Sequence, residues 1–338
     1  MGTYILKRVL LFIPTFIAIT FLTFGISRIV PGDPAERKAG MGREGQQIAN
    51  RELSQERINR LRAEWHLDEP IHIQYLIWAG DLVQFDFGKS FKDDKPVMDK
   101  IMGRLPLTVL MSVISAILAY LIAIPFGIYS ATHAGSLSER SLSTSLFMLY
   151  SLPDFWIGTL CIVFLTVGGN YVEIFPNNGL TSTGAETWPF FKKLMDYLWH
   201  LVLPITVYTY GSFAYISRQM RGSMMETLRQ DYIRTARAKG LVNKAVIYRH
   251  ALRNSLIPII TLFAGLFPAF IGGSVVVERI FNLPGVGQLA FQAATELDYP
   301  VVMGILTMSA ILTMLGVLVG DVLYSVVDPR IAYSKKSS

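Results

Sequence analysis

Long apolar runs alternate with short charged segments along most of this chain. Five runs contain no Asp, Glu, Lys or Arg: residues 9–27, 105–138, 197–217, 254–277 and 299–320. An apolar helix of about 20 residues is long enough to cross the hydrocarbon core of a bilayer. A sixth run, residues 141–172, has the length but carries Asp154. The pattern predicts an all-α membrane protein with six transmembrane helices and both termini on the same side.

Basic residues are concentrated in every second short connection between these runs. If the N-terminus is cytoplasmic, the short inner segments contain fifteen Lys and Arg, nine of them between Arg218 and Arg253, and the short outer loops contain three. Such a bias sets the orientation of membrane proteins. We therefore expect a multi-pass protein of the cell membrane, embedded in the lipid bilayer, with both termini in the cytoplasm.

The first apolar run follows Lys7 and Arg8, as the core of a secretory signal would. It is longer than the roughly 7–15 residues of a signal core and has no small-x-small cleavage site. We interpret it as an uncleaved first transmembrane helix.

A long polar segment separates the first two apolar runs. Its Gly-rich part, residues 39–45, predicts irregular structure. Helical spacing and a capping serine predict a helix from Ser54 to about Trp65, and a second helix from about Ile71 to Gln84 follows Pro70. We expect three parts: residues 1–30 as a tail and first transmembrane helix, 31–104 as a small extracytoplasmic helical cap, and 105–338 as a five-helix core with a cytoplasmic loop at 218–253.

The composition excludes several classes of function. The chain is 51% hydrophobic and 17% charged, below the roughly 25% of soluble domains. The net charge of +6 is explained by the basic inner loops, so we expect no nucleic-acid partner. The five histidines lack metal-ligand spacing, no Ser/His/Asp set stands out, and the single cysteine, Cys161, is expected to be a packing residue. We therefore predict no catalytic residue and no metal site.

The most informative segment runs from Asp231 to Pro258 as DYIRTARAKGLVNKAVIYRHALRNSLIP. It is basic and lies between two apolar runs, so it should be exposed to water beside the membrane. Met225, Leu228, Tyr232, Ala236 and Gly240 recur every three or four residues and predict a weakly apolar helix face. Gly240 should end this helix, and a second helix should run from about Lys244 into the fifth span. A solvated basic loop and a docking surface both fit the composition.

The sequence of this segment resembles the ATPase-coupling loop of ABC importer permeases. The general pattern is Glu-Ala-Ala, three residues, Gly, and nine residues before Ile-x-Leu-Pro. Aligned on Gly240, this chain matches at Ala236 and Leu252 but lacks the Glu, Ile and Pro. QDYIRTARAKG followed by HALRNSLIPIIT is similar to the variant used by oligopeptide/dipeptide-type permeases.

Further motifs extend that resemblance over essentially the whole chain, in the right order. They are VPGDP at 30–34, QFDFGKSF at 84–91, VERIFNLPGVG at 277–287 and DPRI at 328–331. One departure is Leu297 before Asp298-Tyr299-Pro300, where the family more often has a basic residue.

The resemblance implies a permease subunit with the type I ABC importer fold. Its expected partners are a second homologous permease, two cytoplasmic ABC ATPases and an extracytoplasmic substrate-binding protein. This chain has no Gly-x-x-x-x-Gly-Lys-Ser/Thr phosphate loop, so it is expected to be no enzyme and to hold no cofactor, with ATP and Mg bound by the partner ATPases.

The resemblance also suggests which residues act. The expected ATPase-coupling residues are Asp231, Tyr232, Arg234, Thr235, Ala236, Arg237, Ala238, Lys239 and Gly240. The short Gly/Pro-broken segment after the fifth run resembles an external re-entrant segment at the mouth of the translocation pathway. The residues expected to line this mouth are Glu278, Phe281, Pro284 and Gly285.

Import of di- or oligopeptides is therefore the expected function. The same machinery could import nickel or an oligosaccharide. A stand-alone secondary transporter is disfavoured, since no paired half-repeat is visible. An intramembrane enzyme has no supporting constellation of residues.

Overall fold

The computed structural model describes residues 2–29, 33–36, 51–169 and 171–327. The described chain is predominantly helical, and connecting loops contain the isolated bridges Lys89–Pro96 and Thr166–Phe175. The helices are α1 Gly2–Ile29, α2 Arg51–Glu64, α3 Ile71–Val83, α4 Val97–Met102, α5 Leu105–Thr132, α6 Leu137–Ser151, α7 Asp154–Leu165, α8 Phe190–Leu228, α9 Asp231–Ala238, α10 Asn243–Ala245, α11 Leu252–Ser255, α12 Ile257–Ala264, α13 Phe267–Gly272, α14 Val275–Ile280, α15 Val286–Glu296 and α16 Tyr299–Val327. Ala185–Thr187 form a 3₁₀ turn and Val246–Ala251 a π-helical turn.

Three of the predicted spans are single long apolar helices. The segments Arg8–Arg28, Leu105–Thr132 and Tyr299–Val322 have the length and hydropathy needed to cross a membrane. The predicted fourth span lies inside α8, which is 39 residues long and continues well past Ser217. The three long apolar helices agree with the predicted all-α membrane architecture, whereas α8 is not among the described helices that meet the same length and hydropathy criteria.

The third and fifth predicted spans are broken, which the run lengths did not reveal. The third consists of α6 and α7, bent by 94° at Leu152-Pro153. The residue before a proline is disfavoured in helical conformation, and Leu152 is extended with ψ 130°. The fifth is divided into α11, α12, α13 and α14, because Pro258 restarts the helix and Gly273 adopts a left-handed φ of +59°. The predicted helix from about Lys244 is present: the chain is helical from Asn243 through a π-helical turn into the fifth span as far as Ala264, with one irregular residue at Leu256.

The two predicted helices before the second span are present, with one correction. Helix α3 agrees closely with its prediction, and α2 contains most of the other. Ser54 lies inside α2 rather than capping it, because the helix already includes Arg51. The predicted irregular stretch 39–45 and the DPRI motif at 328–331 lie outside the described residues.

The described residues form two compact units. The core unit contains Leu107–Gln288 and residues 312–327, and the cap unit contains Gly2–Pro106 and Leu289–Ile311. In the core unit, one buried cluster joins Met220 and Met224 of α8 to α9 and the π-helical turn. A second cluster joins α8 to the segment around Phe281. In the cap unit, Val97 and Ile101 of α4 are fully buried. The expected division into 1–30, 31–104 and 105–338 depends on where the membrane lies along the chain. It stays a prediction.

Candidate functional site

Helix α9 is a short amphipathic element with one face fixed to the core unit. Ile233 is fully buried and Ala236 is 6% exposed. Both belong to the cluster that contains Met220 and Met224 of α8 and Val246 of the π-helical turn. The opposite face is open to solvent. Burial of two apolar side chains on one face gives this eight-residue helix a defined orientation, which it would not keep alone.

Both ends of α9 are sharp turns. Helix α8 ends at Leu228, and Gln230 is extended with ψ 149° before α9 begins. At the other end Gly240 has φ +76°, and its N–H donates to the carbonyl of Arg237 at 2.9 Å. Left-handed backbone is unfavourable for residues with a Cβ, so glycine is favoured at this turn. The predicted helix end at Gly240 is confirmed.

The exposed face of α9 is predominantly basic. Arg234, Arg237 and Lys239 are exposed, and Asp231 lies 3.5 Å from Arg234. The Tyr232 hydroxyl accepts a hydrogen bond from Asn254 Nδ2 at 2.7 Å, which ties α9 to α11. The arrangement is a rigidly held basic surface suited to orienting a protein partner.

The structure corrects the predicted apolar stripe. The stripe is interrupted at Arg229-Gln230, and Tyr232 is 42% exposed while Ile233 is buried. Of the predicted coupling residues, Ala236 faces the interior, so it anchors the helix. The others are exposed: Asp231, Tyr232, Arg234, Thr235, Arg237, Ala238, Lys239 and Gly240.

Sequence reasoning missed three apolar residues of this region. Ile233 is the main anchor, and a search for the most apolar residue between the charges would have found it. Leu241 and Val242 follow Gly240 and are 42% and 70% exposed. They add an apolar edge to the basic surface, and aliphatic residues directly after a helix-ending glycine were the available signal.

A buried ion pair holds the part of α8 that leads to α9. Glu139 of α6 is 3% exposed, and its Oε1 lies 2.9 Å from Nη2 of Arg221. The same carboxylate accepts from Ser143 Oγ at 2.7 Å and from the Gly135 N–H at 3.3 Å. Three donors thus compensate its burial, and the end of α8 is fixed against α6.

Replacing Arg221 by alanine should lower stability measurably. Removing one partner of a buried pair costs about 3–5 kcal/mol, and we expect about 2–3 kcal/mol because Arg221 is partly exposed. The matched control is Arg218→Ala, an exposed arginine on the same helix that forms no ion pair with the described residues. Heat unfolding of the purified protein should show a clear drop in Tm for Arg221→Ala alone. Equal Tm values for both variants would contradict this role.

The segment that contains Glu278 forms a second, deeply buried site in the core unit. Glu278 on α14 is fully buried. Its Oε1 accepts from Thr108 Oγ1 at 3.0 Å, and its Oε2 accepts from the Gln288 N–H at 2.7 Å. Thr108 Oγ1 in turn accepts from the Val286 N–H at 2.8 Å. The carboxylate therefore sits at the N-terminus of α15, where backbone N–H groups and the helix dipole favour negative charge.

Close backbone approach makes this packing possible. A Cβ on Gly285 would lie 2.2 Å from the Glu278 carboxyl carbon, so only glycine fits there. Phe281 is 5% exposed, while Pro284 is exposed at the surface. Glu278, Phe281 and Gly285 are thus buried in this structure. Their expected place at the mouth of a pathway stays a prediction.

A metal site is not evident in the part of the chain that the structure describes. Among those residues, no group of three or more His, Cys, Asp or Glu side chains is arranged to hold a metal ion.

Known proteins with similar sequences cover nearly the whole chain. The family described as "Binding-protein-dependent transport system inner membrane component" matches residues 123–333, and the corresponding N-terminal family matches residues 1–112. The oligopeptide transport system permease protein AppB of Bacillus subtilis (strain 168) is 40% identical over 98% of this chain and 100% of AppB. The inner membrane ABC transporter permease protein YejB of Escherichia coli O157:H7 is 33% identical over 98% of this chain and 99% of YejB.

A solved structure has the same fold. It is titled as inward-facing conformations of the MetNI methionine ABC transporter, and the likeness has a TM-score of 0.50 with 18% identity. The match covers 68% of this chain and 97% of the other. The predicted permease fold is therefore confirmed. Together, the apolar helices, this fold and the full-length sequence matches show that the chain belongs to the family of binding-protein-dependent transport system inner membrane components.

Proposed function

We propose that this chain is the transmembrane permease subunit of an ABC importer that moves peptides into the cell. The names of AppB and YejB describe an oligopeptide transport permease and an ABC transporter permease, and both relatives align with nearly the whole chain. The single observation that carries the proposal is the geometry of α9. One face of α9 is exposed and basic, and the other is packed into the core unit. A partner that binds the exposed face and moves α9 would therefore also move the residues of the core unit that α9 contacts.

The coupling mechanism follows from this geometry. The exposed residues of α9 dock in a cleft of an ATPase, with Arg234, Arg237 and Lys239 supplying charge complementarity that steers and orients docking. Closure of the two ATPases around ATP displaces α9. Because Ile233 and Ala236 pack into the same cluster as Met220 and Met224, α8 moves with α9 as one body. Packed interfaces switch between discrete arrangements, which converts the displacement into alternating access.

The complete importer needs further subunits. The proposal includes a second, homologous permease, two cytoplasmic ATPases that bind ATP and Mg, and an extracytoplasmic substrate-binding protein. The excess of basic residues in the segment containing α9 supports a cytoplasmic position for it and for both termini. The segment around Glu278 then lies at the external end of the pathway.

Reconstituted transport tests the proposal. The chain is purified with its co-purifying subunits, placed in proteoliposomes that contain ATP, and supplied with binding protein and a labelled tripeptide or pentapeptide. We expect ATP-dependent accumulation of peptide that requires the binding protein. Accumulation of nickel or an oligosaccharide without any peptide uptake would refute peptides as the substrate. Uptake by this chain alone, without ATPases, would refute the importer.

A further inference from the structure

A cavity of about 510 Å³ lies within the cap unit. It is bounded by the end of α1, by α2 and α3, by residues 86–91 and by the start of α16. All of these segments belong to the same compact unit. The volume falls in the range of small-molecule sites, which are about 300–1,000 Å³.

Aromatic side chains form the apolar walls of this cavity. Trp65 is stacked on Phe91 with ring centroids 3.8 Å apart. Trp78 lies 5.8 Å from the ring of Phe24, and Tyr299 also lines the cavity. Such rings provide flat apolar area at low entropic cost, which suits ligands with varied apolar side chains.

Charged side chains of both signs line the same cavity. They are Arg28, Lys89, Glu64, Asp81 and Asp86. Within the described chain, none of these five forms an ion pair at 4.0 Å or less, although Arg28 lies over the ring of Phe24 at 5.0 Å and His66 interacts electrostatically with Asp81. Separated charges of opposite sign favour a ligand that itself carries separated charges.

The negative side of the cavity would be stabilised by a cation. Partial burial and the neighbouring Asp86 raise the pKa of the Asp81 carboxyl above its ordinary value. Two carboxylates that repel each other are relieved when an ammonium group arrives between them.

We infer that this cavity is a binding site for a short, uncapped peptide, with its α-amino group held by Asp81 and Asp86 and its carboxylate by Arg28. The aromatic walls accept the peptide's side chains. The inference rests on the proposed function and deepens it, because it gives the permease a peptide site of its own in addition to the binding protein.

Direct binding to the purified importer complex, without binding protein or ATP, tests the inference. The probe is radiolabelled Ala-Phe-Ala, measured by scintillation proximity. Arg28→Gln and Asp81→Asn should each weaken binding at least about tenfold, the effect of losing one charge-assisted contact. Arg57→Gln and Asp99→Asn replace exposed charges away from the cavity and should bind like the wild type. N-acetyl-Ala-Phe-Ala-amide, which lacks both charges, should fail to compete.

The outcomes separate this inference from the proposed function. Wild-type complex that accumulates peptide in proteoliposomes but binds no peptide in this assay would overturn the cavity site and leave the import function intact. Equal binding by Arg28→Gln, Asp81→Asn and their controls would overturn it as well. Competition by glycerophosphoethanolamine but not by unlabelled peptide would show a lipid-headgroup site instead.

Discussion

Substitution of Gly240 by proline should uncouple ATP hydrolysis from uptake while the protein remains in the membrane. Gly240 has φ +76°, which proline, fixed near −65°, cannot adopt. Proline would also remove the N–H that donates to Arg237. The turn after α9 would be lost, and α9 would present a different face to the ATPase. We expect peptide uptake near background with ATPase activity persisting, measured in proteoliposomes.

A milder pair of variants isolates the backbone effect. Gly240→Ala places a Cβ in left-handed backbone, at a cost of about 1–2 kcal/mol, or roughly a tenfold loss of the correct turn. Gly222→Ala is the matched control, because Gly222 lies inside α8 with open space around its missing Cβ. Uptake should fall clearly for Gly240→Ala and stay normal for Gly222→Ala. Normal uptake by Gly240→Pro would contradict the coupling role of this turn.

Replacement of Glu278 by alanine should abolish uptake without preventing ATPase binding. The Thr108 hydroxyl and the Gln288 N–H would lose their shared acceptor in a buried place, which costs about 2–6 kcal/mol for two donors. The start of α15 would then lose its fixed position. The measurement is peptide uptake together with recovery of the ATPases during purification.

The conservative variant and a matched control sharpen this second test. Glu278→Gln keeps the shape but has one acceptor oxygen, so its amide NH₂ would face one of two donors and uptake should be intermediate. Glu173→Ala removes an exposed glutamate and should leave uptake unchanged. Full uptake by Glu278→Ala would show that this carboxylate does not position the transport pathway. Loss of the ATPases from Glu278→Ala would indicate general misfolding instead.

Hydrophobic run length predicted much of the fold, because a bilayer requires helices of a minimum length. The helices of the first, second and last spans follow directly from their uncharged runs. The same criterion could not locate the bend at Leu152-Pro153 or the breaks around Pro258 and Gly273. These depend on single residues whose conformations are decided by neighbouring packing, and intramembrane prolines are compatible with straight helices as well.

In the candidate sites, too, features set by neighbouring residues in the sequence could be predicted, whereas features set by tertiary contacts could not. Gly240 could be predicted from sequence, because ending a helix is a local property of glycine. Ile233 could have been found as the most apolar residue between the charges, but its partners in α8 and the π-helical turn could not, since they are tertiary contacts. Glu278 was expected to line the mouth of the translocation pathway, and its burial follows from its close contacts with Gly285 and Thr108. The spacing of residues along the sequence does not predict that Glu278 contacts Thr108.

Site-specific cross-linking of α9 tests the central claim most directly. Cys161 is the single cysteine. In a Cys161→Ala background, an introduced cysteine is therefore the only thiol of this chain that can react. Arg237→Cys places it on the exposed face of α9, and Lys193→Cys places it at an exposed position near the start of α8 as a control. With a short thiol-to-amine cross-linker, Arg237→Cys should link to an ATPase subunit with a yield that changes on ATP addition, while Lys193→Cys should not link. Absence of an ATPase product from Arg237→Cys in an intact, transporting complex would contradict the assignment of α9 as the coupling helix.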